Sequence, residues 1–110
     1  MKIKYKTRKL EKSLTSDKGL AKDYGKLAKK IKQRRQQLES AEHLGVIAKL
    51  PALRLHPHKG QNKGMWSIDI QNNWRILFLI GNEPIPTLED GGVNIEQVTI
   101  IEITSITDPH

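Results

Sequence analysis

The chain is predicted to be an α+β domain, its N-terminal strand and helices packed on one face of a C-terminal antiparallel sheet. Three observations predict this. Apolar residues recur at spacings of three and four across residues 17–41, as along one face of a helix. From residue 53 the period changes to two, as along a half-buried strand. Helices come first and strands second, the chain order of α+β rather than alternating α/β folds. At 110 residues the chain has one domain's length, taken to cover 1–110. With 36% hydrophobic residues and 5% aromatics, its core must be aliphatic.

Taken in order, Ile3 and Tyr5 alternate with Lys2, Lys4 and Lys6, a short half-buried strand. A helical turn opens at Thr7 or Arg8 and runs through Leu14. Ser16-Asp17 is a helix cap, after which Leu20, Tyr24, Leu27, Ile31, Leu38 and Ala41 line one face. This predicts a long amphipathic helix from about Asp17 to Ser40, in which Gly19 and Gly25 weaken but do not break the pattern. Arg34 is the one gap in its apolar stripe. Ala41 to Lys49 is one more short helix, ended by Leu50-Pro51. Leu53 and Leu55 alternate with Arg54 and His56, Gly60 to Gly64 is a turn, and Trp66, Ile68 and Ile70 alternate with Ser67 and Asp69. Gln71-Asn72-Asn73 signals a tight hairpin, because Asn tolerates left-handed backbone angles. Trp74 to Ile80, apolar on both faces except at Arg75, reads as a central strand. Gly81 to Gly92 is a long loop and Val98 to Ile106 the last strand.

Composition narrows the function. With no cysteine, the chain has no disulfide, no thiolate nucleophile and no cysteine-held zinc or iron–sulfur site. No run of 18 apolar residues suggests a membrane span, and no apolar segment follows the basic N-terminus as in a secretion signal. A soluble, cytoplasmic protein is expected. Its net charge of +7 points to a polyanionic partner. The charge is split: residues 1–36 carry a net +11 and residues 37–110 a net −4, with no Lys or Arg after Arg75. Lysines on the long helix, Lys29 and Lys30 among them, form either a solvated face or a contact surface for RNA phosphates.

Beyond residue 50 the cations are Arg54, Lys59, Lys63 and Arg75, and His56 and His58 fall among them. Imidazole, ammonium and guanidinium together suit phosphodiester cleavage. That reaction needs a base, an acid and fixed cations for the developing phosphorane charge. In RNA the 2′-hydroxyl serves as nucleophile, so no metal and no cofactor is required. The residues also have structural readings. His56 fits a surface histidine, or half of a metal pair with His58. Arg75 fits a salt bridge to Asp69 or Glu102, since a buried guanidinium is costly unless paired. Trp66 and Trp74 fit core anchors, and Asp108 and His110 a frayed terminus.

Three stretches in this order resemble the HigB branch of the RelE/ParE superfamily of bacterial toxins: Leu55-His56-Pro57-His58-Lys59-Gly60, Lys63-Gly64-Met65-Trp66-Ser67-Ile68 and Asn73-Trp74-Arg75-Ile76-Leu77-Phe78. The Pro84 to Gly92 loop looks like one found in plasmid maintenance killer proteins of that branch, and the chain closes with an Asp-X-His ending. The N-terminal third matches mainly in layout. The resemblance implies a type II toxin–antitoxin toxin, a ribosome-dependent, metal-independent mRNA endoribonuclease. It would pair with a helix-turn-helix, HigA-like antitoxin and reach operator DNA only through that complex. By the same resemblance His56, Lys59, Arg75, Asp108 and His110 belong to the active site; by their charge, Arg54, Lys63, Lys29 and Lys30 are the expected RNA contacts. Pro109 stands where many relatives carry tyrosine, which shifts weight to His56 and His110. These two would share the base and acid roles, while Arg75 and Lys59 stabilise the phosphate. The same fold also hosts ParE-like inhibitors of DNA gyrase that have no nuclease site, the alternative function.

Overall fold

The computed structural model describes residues 1–62 and 64–108. In chain order the elements are β1 (Lys2–Tyr5), α1 (Arg8–Thr15), α2 (Asp17–Tyr24), α3 (Ala28–Ser40), α4 (Leu44–Ala48), β2 (His56–Pro57), β3 (Met65–Gln71), β4 (Trp74–Ile80) and β5 (Ile100–Thr107). Short 3-10 turns occupy Gly25–Leu27, Pro51–Leu53, Gly60–Asn62 and Ile95–Gln97. The five strands form one sheet in the order β1-β5-β4-β3-β2. The α+β class is as expected, and β4 lies at the centre of the sheet. The N-terminal strand, however, joins the sheet: β1 runs parallel to β5, while all other pairs are antiparallel. The sheet is therefore mixed.

The predicted helix from Asp17 to Ser40 is two helices. Ser16 caps α2 through a bond from the Gly19 amide to its side-chain oxygen, as the sequence suggests. The helix then stops at Gly25, whose φ of 52° and ψ of −117° lie outside the range of an L side chain. A 3-10 turn restarts the chain into α3. The apolar stripe survives the break because both helices lay their apolar residues on the same sheet face, so periodicity alone could not reveal it. The alternation at Leu53 and Leu55 likewise fails to extend into a strand. Pro51–Leu53 is a 3-10 turn and Arg54 takes left-handed angles, which leaves β2 only two residues long.

Strand alternation sorts the sheet into two faces. Ile68 and Ile70 of β3, Ile76 and Phe78 of β4, and Ile101 and Ile103 of β5 are buried against Leu14, Leu20, Ile31 and Leu38 of the helices. Each such aliphatic or aromatic burial is worth about 1.5–3 kcal/mol. Arg34, the gap in the apolar stripe, is buried too. Its Nε donates to the Asp69 carbonyl at 2.9 Å and its terminal nitrogen to Gln37 Oε1 at 2.9 Å, which ties α3 to β3. Between β3 and β4 the turn is Asn72-Asn73, both at positive φ, the hairpin geometry the Asn pair implied. No helix among the described residues is long and apolar enough to cross a membrane.

No atom stands within 4 Å of where a Cβ on Gly25 would lie, so a side chain there is opposed by backbone strain alone. Gly25→Ala is expected to lower folding stability by roughly 1–3 kcal/mol. Urea unfolding checks this, and an unchanged midpoint would show that the break between α2 and α3 does not depend on glycine.

Candidate active site

The residues that alternate with the core positions point to the sheet face away from the helices. Pairing across β2, β3, β4 and β5 sets two rows there. His56 lies opposite Ser67, Ser67 opposite Leu77, and Leu77 opposite Ser105. In the neighbouring row Asp69 lies opposite Arg75, and Arg75 opposite Thr107. Register thus brings residues far apart in sequence onto one patch.

Asp69 anchors the cationic row. Arg54 grips its carboxylate with both ends of the guanidinium fork, Nε to Oδ2 at 2.8 Å and a terminal nitrogen to Oδ1 at 3.3 Å. Arg75 Nε stands 3.8 Å from Oδ1, near enough for an ion pair and too far for a hydrogen bond. Of the two partners weighed for Arg75, the structure selects Asp69, while Glu102 pairs in register with Leu79. The Arg75 Nε is buried without a hydrogen bond, and its terminal nitrogens bond to none of the described residues. Arg75 is therefore steered by charge without being saturated.

The imidazole row is more tightly built. The left-handed turn at Arg54 presents its carbonyl to His56, whose Nδ1 lies 3.0 Å away. A proton on Nδ1 satisfies that carbonyl and leaves the Nε2 lone pair available as a base. The ladder continues past β2 through a 2.8 Å bond from the His58 amide to the Met65 carbonyl. The His58 ring stacks on His56 with centroids 4.9 Å apart and planes inclined by 22°. Its Nε2 meets the fully buried Ser67 hydroxyl at 2.9 Å. Burial, helped by the neighbouring His56, Arg75 and Arg54, holds the His58 pKa below its ordinary value near 6.5. No third imidazole or carboxylate joins the pair into a metal cluster among the described residues.

The expected site residues do not all converge. His56 and Arg75 share the patch, Arg54 rims it, and Asp108 follows directly on Thr107, the partner of Arg75. Lys59 is exposed in the loop after β2, in no ion pair among the described residues. Lys29 and Lys30 sit on α3 in the helical layer, beside a hollow they share with Gln71, and so lie on the other side of the sheet. Lys63 and His110 fall outside the described residues, as does Pro109. Sequence reasoning passed over Ser67 as a mere polar partner in an alternating strand, weighed Asp69 only as a partner for Arg75 and not for Arg54, and took His58 as half of a metal pair. Their one signal was position: each alternates with a core residue and so faces the same way as Arg75 or His56.

A depressed His58 pKa has a definite sign for stability. The unfolded chain takes up the His58 proton more readily than the folded one, so this contribution is whole above about pH 6.5 and is lost as pH falls toward the lower folded value. Between about pH 7.5 and 5.5 the unfolding midpoint of wild type should fall more than that of His58→Phe. Equal falls in a urea series would contradict it.

No family model matches the chain. Over 49 residues it is 39% identical to the endoribonuclease HigB of Proteus vulgaris, 44% of this chain and 52% of that protein, so the match spans about half the length of this curated relative. The fold is similar over 100% of both chains to the YoeB/ParE toxin from Agrobacterium tumefaciens, with a TM-score of 0.56 at 12% identity. It is also similar to YafQ from E. coli strain BL21(DE3), with a TM-score of 0.50 at 16% identity over 97% of this chain and 91% of that one. The chain thus shares its fold along its whole length with these two proteins, and a stretch of 49 residues within it is similar in sequence to HigB.

Proposed function

We propose that this chain is the toxin of a type II toxin–antitoxin pair and a metal-independent endoribonuclease that cuts mRNA on the 70S ribosome. The observation that carries this reading is His56, its Nδ1 engaged by the Arg54 carbonyl and its Nε2 in no hydrogen bond among the described residues, on the same patch as Arg75, whose Nε is buried without a hydrogen bond among those residues. In the proposed reaction His56 Nε2 takes the proton of the 2′-hydroxyl. The 2′-oxygen then attacks phosphorus, and the 5′-oxygen leaves with a proton from a second acid, for which the sequence offers His110. The products are a 2′,3′-cyclic phosphate and a free 5′-hydroxyl. Arg75 offers its fork to the phosphorane oxygens, with Lys59 as a second cation and Asp108 beside the row. A helix-turn-helix, HigA-like antitoxin would neutralise the toxin in the cytoplasm and carry it to operator DNA, and the whole activity resides in one domain.

The basic third would supply sequence-blind contact with RNA. Arg8, Lys9, Lys12, Lys18 and Lys22 line a hollow of about 530 Å3 between α1 and α2, and none of them is in an ion pair among the described residues. The nearby Asp23 accepts the Ser13 hydroxyl, and Asp17 is drawn to Lys32. These cations are left for phosphate oxygens.

His56→Ala and Arg75→Ala should each cut mRNA cleavage at least about 100-fold and abolish growth arrest. Mapping of mRNA ends after induction reads the reaction. Full toxicity in both variants, or halted DNA replication with intact mRNA, would overturn the nuclease assignment in favour of a gyrase-directed inhibitor. In a His56→Ala background, changing Lys9, Lys12, Lys18 and Lys22 to Gln should flatten the slope of log affinity for single-stranded RNA against log salt by up to about 3. An unchanged slope would remove the hollow from the RNA contact.

A further inference from the structure

We propose that His58, fixed by Ser67, is a positioning residue that holds the His56 ring in its productive orientation. The inference rests on the assignment of His56 as the proton-transferring group. His56 sits on a strand of only two residues, at the sheet edge, and the one hydrogen bond of its ring among the described residues runs to the Arg54 carbonyl two residues away. A single bond from Nδ1 leaves the imidazole free to swing about that contact. The stacked His58 ring supplies a wall on one side of it.

That wall is itself held. The β2–β3 register sets Ser67 opposite His56, and alternation along the chain turns His58 to the same side of the sheet. There its Nε2 reaches the Ser67 hydroxyl, which is fully buried and has no other hydrogen bond among the described residues. His58 is anchored at both ends, through its amide on Met65 and its ring on Ser67. The groups that face it are His56, Arg54 and Arg75, all cationic or able to become so. A neutral ring in that company stacks on a protonated His56 without repelling it, so His58 supports the base through both halves of the proton-transfer cycle.

The test separates positioning from catalysis and from the nuclease reading itself. His58→Ala should lower kcat for mRNA cleavage about tenfold or more with little change in KM, since a misaimed base fails in the chemical step rather than in binding. His58→Phe keeps a flat ring and should restore most of the rate, while Ser67→Ala should fall between the two. Imidazole NMR of the full chain reads His56 directly. In wild type and His58→Phe it should show one dominant tautomer, with the proton on Nδ1, and in His58→Ala a mixture. Wild-type kcat together with an unchanged His56 tautomer in His58→Ala would overturn the proposal. So would His58→Phe being as inactive as His58→Ala with His56 undisturbed, because His58 would then be moving the proton itself. If wild type cuts no RNA, the nuclease reading fails, and the NMR comparison still decides whether His58 and Ser67 orient His56.

Discussion

Three guanidinium groups converge on Asp69, and much of the molecule's order can be traced to that residue. Its backbone carbonyl takes the Nε of Arg34 from inside the helical layer, and its carboxylate takes Arg54 and attracts Arg75 on the opposite face. A strand residue can serve both faces because its carbonyl lies in the plane of the sheet while its side chain leaves it. The buried Arg34 bond fixes α3 against β3. The exposed Arg54 bond fixes the chain just before β2, and the left-handed turn at Arg54 then presents the carbonyl that holds His56. A surface pair such as Arg54–Asp69 adds little stability by itself. Its value here is positional, since it sets where the imidazole row begins.

The same sheet keeps two jobs apart. Core packing claims one face, where Ile68, Ile70, Ile76 and Phe78 meet the helices. The other face is left for residues that would be costly to bury unpaired, and there Arg75 and two histidines collect. The basic helices stand on the far side of the core from the histidines. Bulk charge and local chemistry thus occupy different surfaces of the same molecule. For the ribosome-bound nuclease proposed above, this arrangement would let long-range attraction bring the partner in while the weakly acidic remainder keeps bulk positive charge away from the proposed site.

Several features were legible in the residues. Asn72-Asn73 announced the hairpin because few other side chains accept two successive positive φ angles. Arg75 stood out as a cation within an apolar strand, and the one-sided alternation of β3 already implied which of its residues share a face. Other features left no local trace. Gly25 interrupts a helix without disturbing its apolar stripe, so periodicity could not tell a weakened helix from a broken one. Arg34 looked like a gap in that stripe, because no periodicity can say that a carbonyl of β3 lies within reach of its guanidinium. Ser67 and His58 are nine residues apart in sequence and meet only because β2 pairs with β3 in one particular register.

By itself, then, the sequence determined the two periodicities, the hairpin, the charge split and the chemical types at the site, because each of these depends on neighbours within a few residues. The tertiary structure decided the parallel seat of β1, the break at Gly25, the three-arginine node at Asp69 and the stacking of His58 on His56. These depend on strand register and on the packing of α3 over β3. Such choices are set by the joint burial of distant apolar residues, and a one-residue slip would turn every side chain of a strand to the other face.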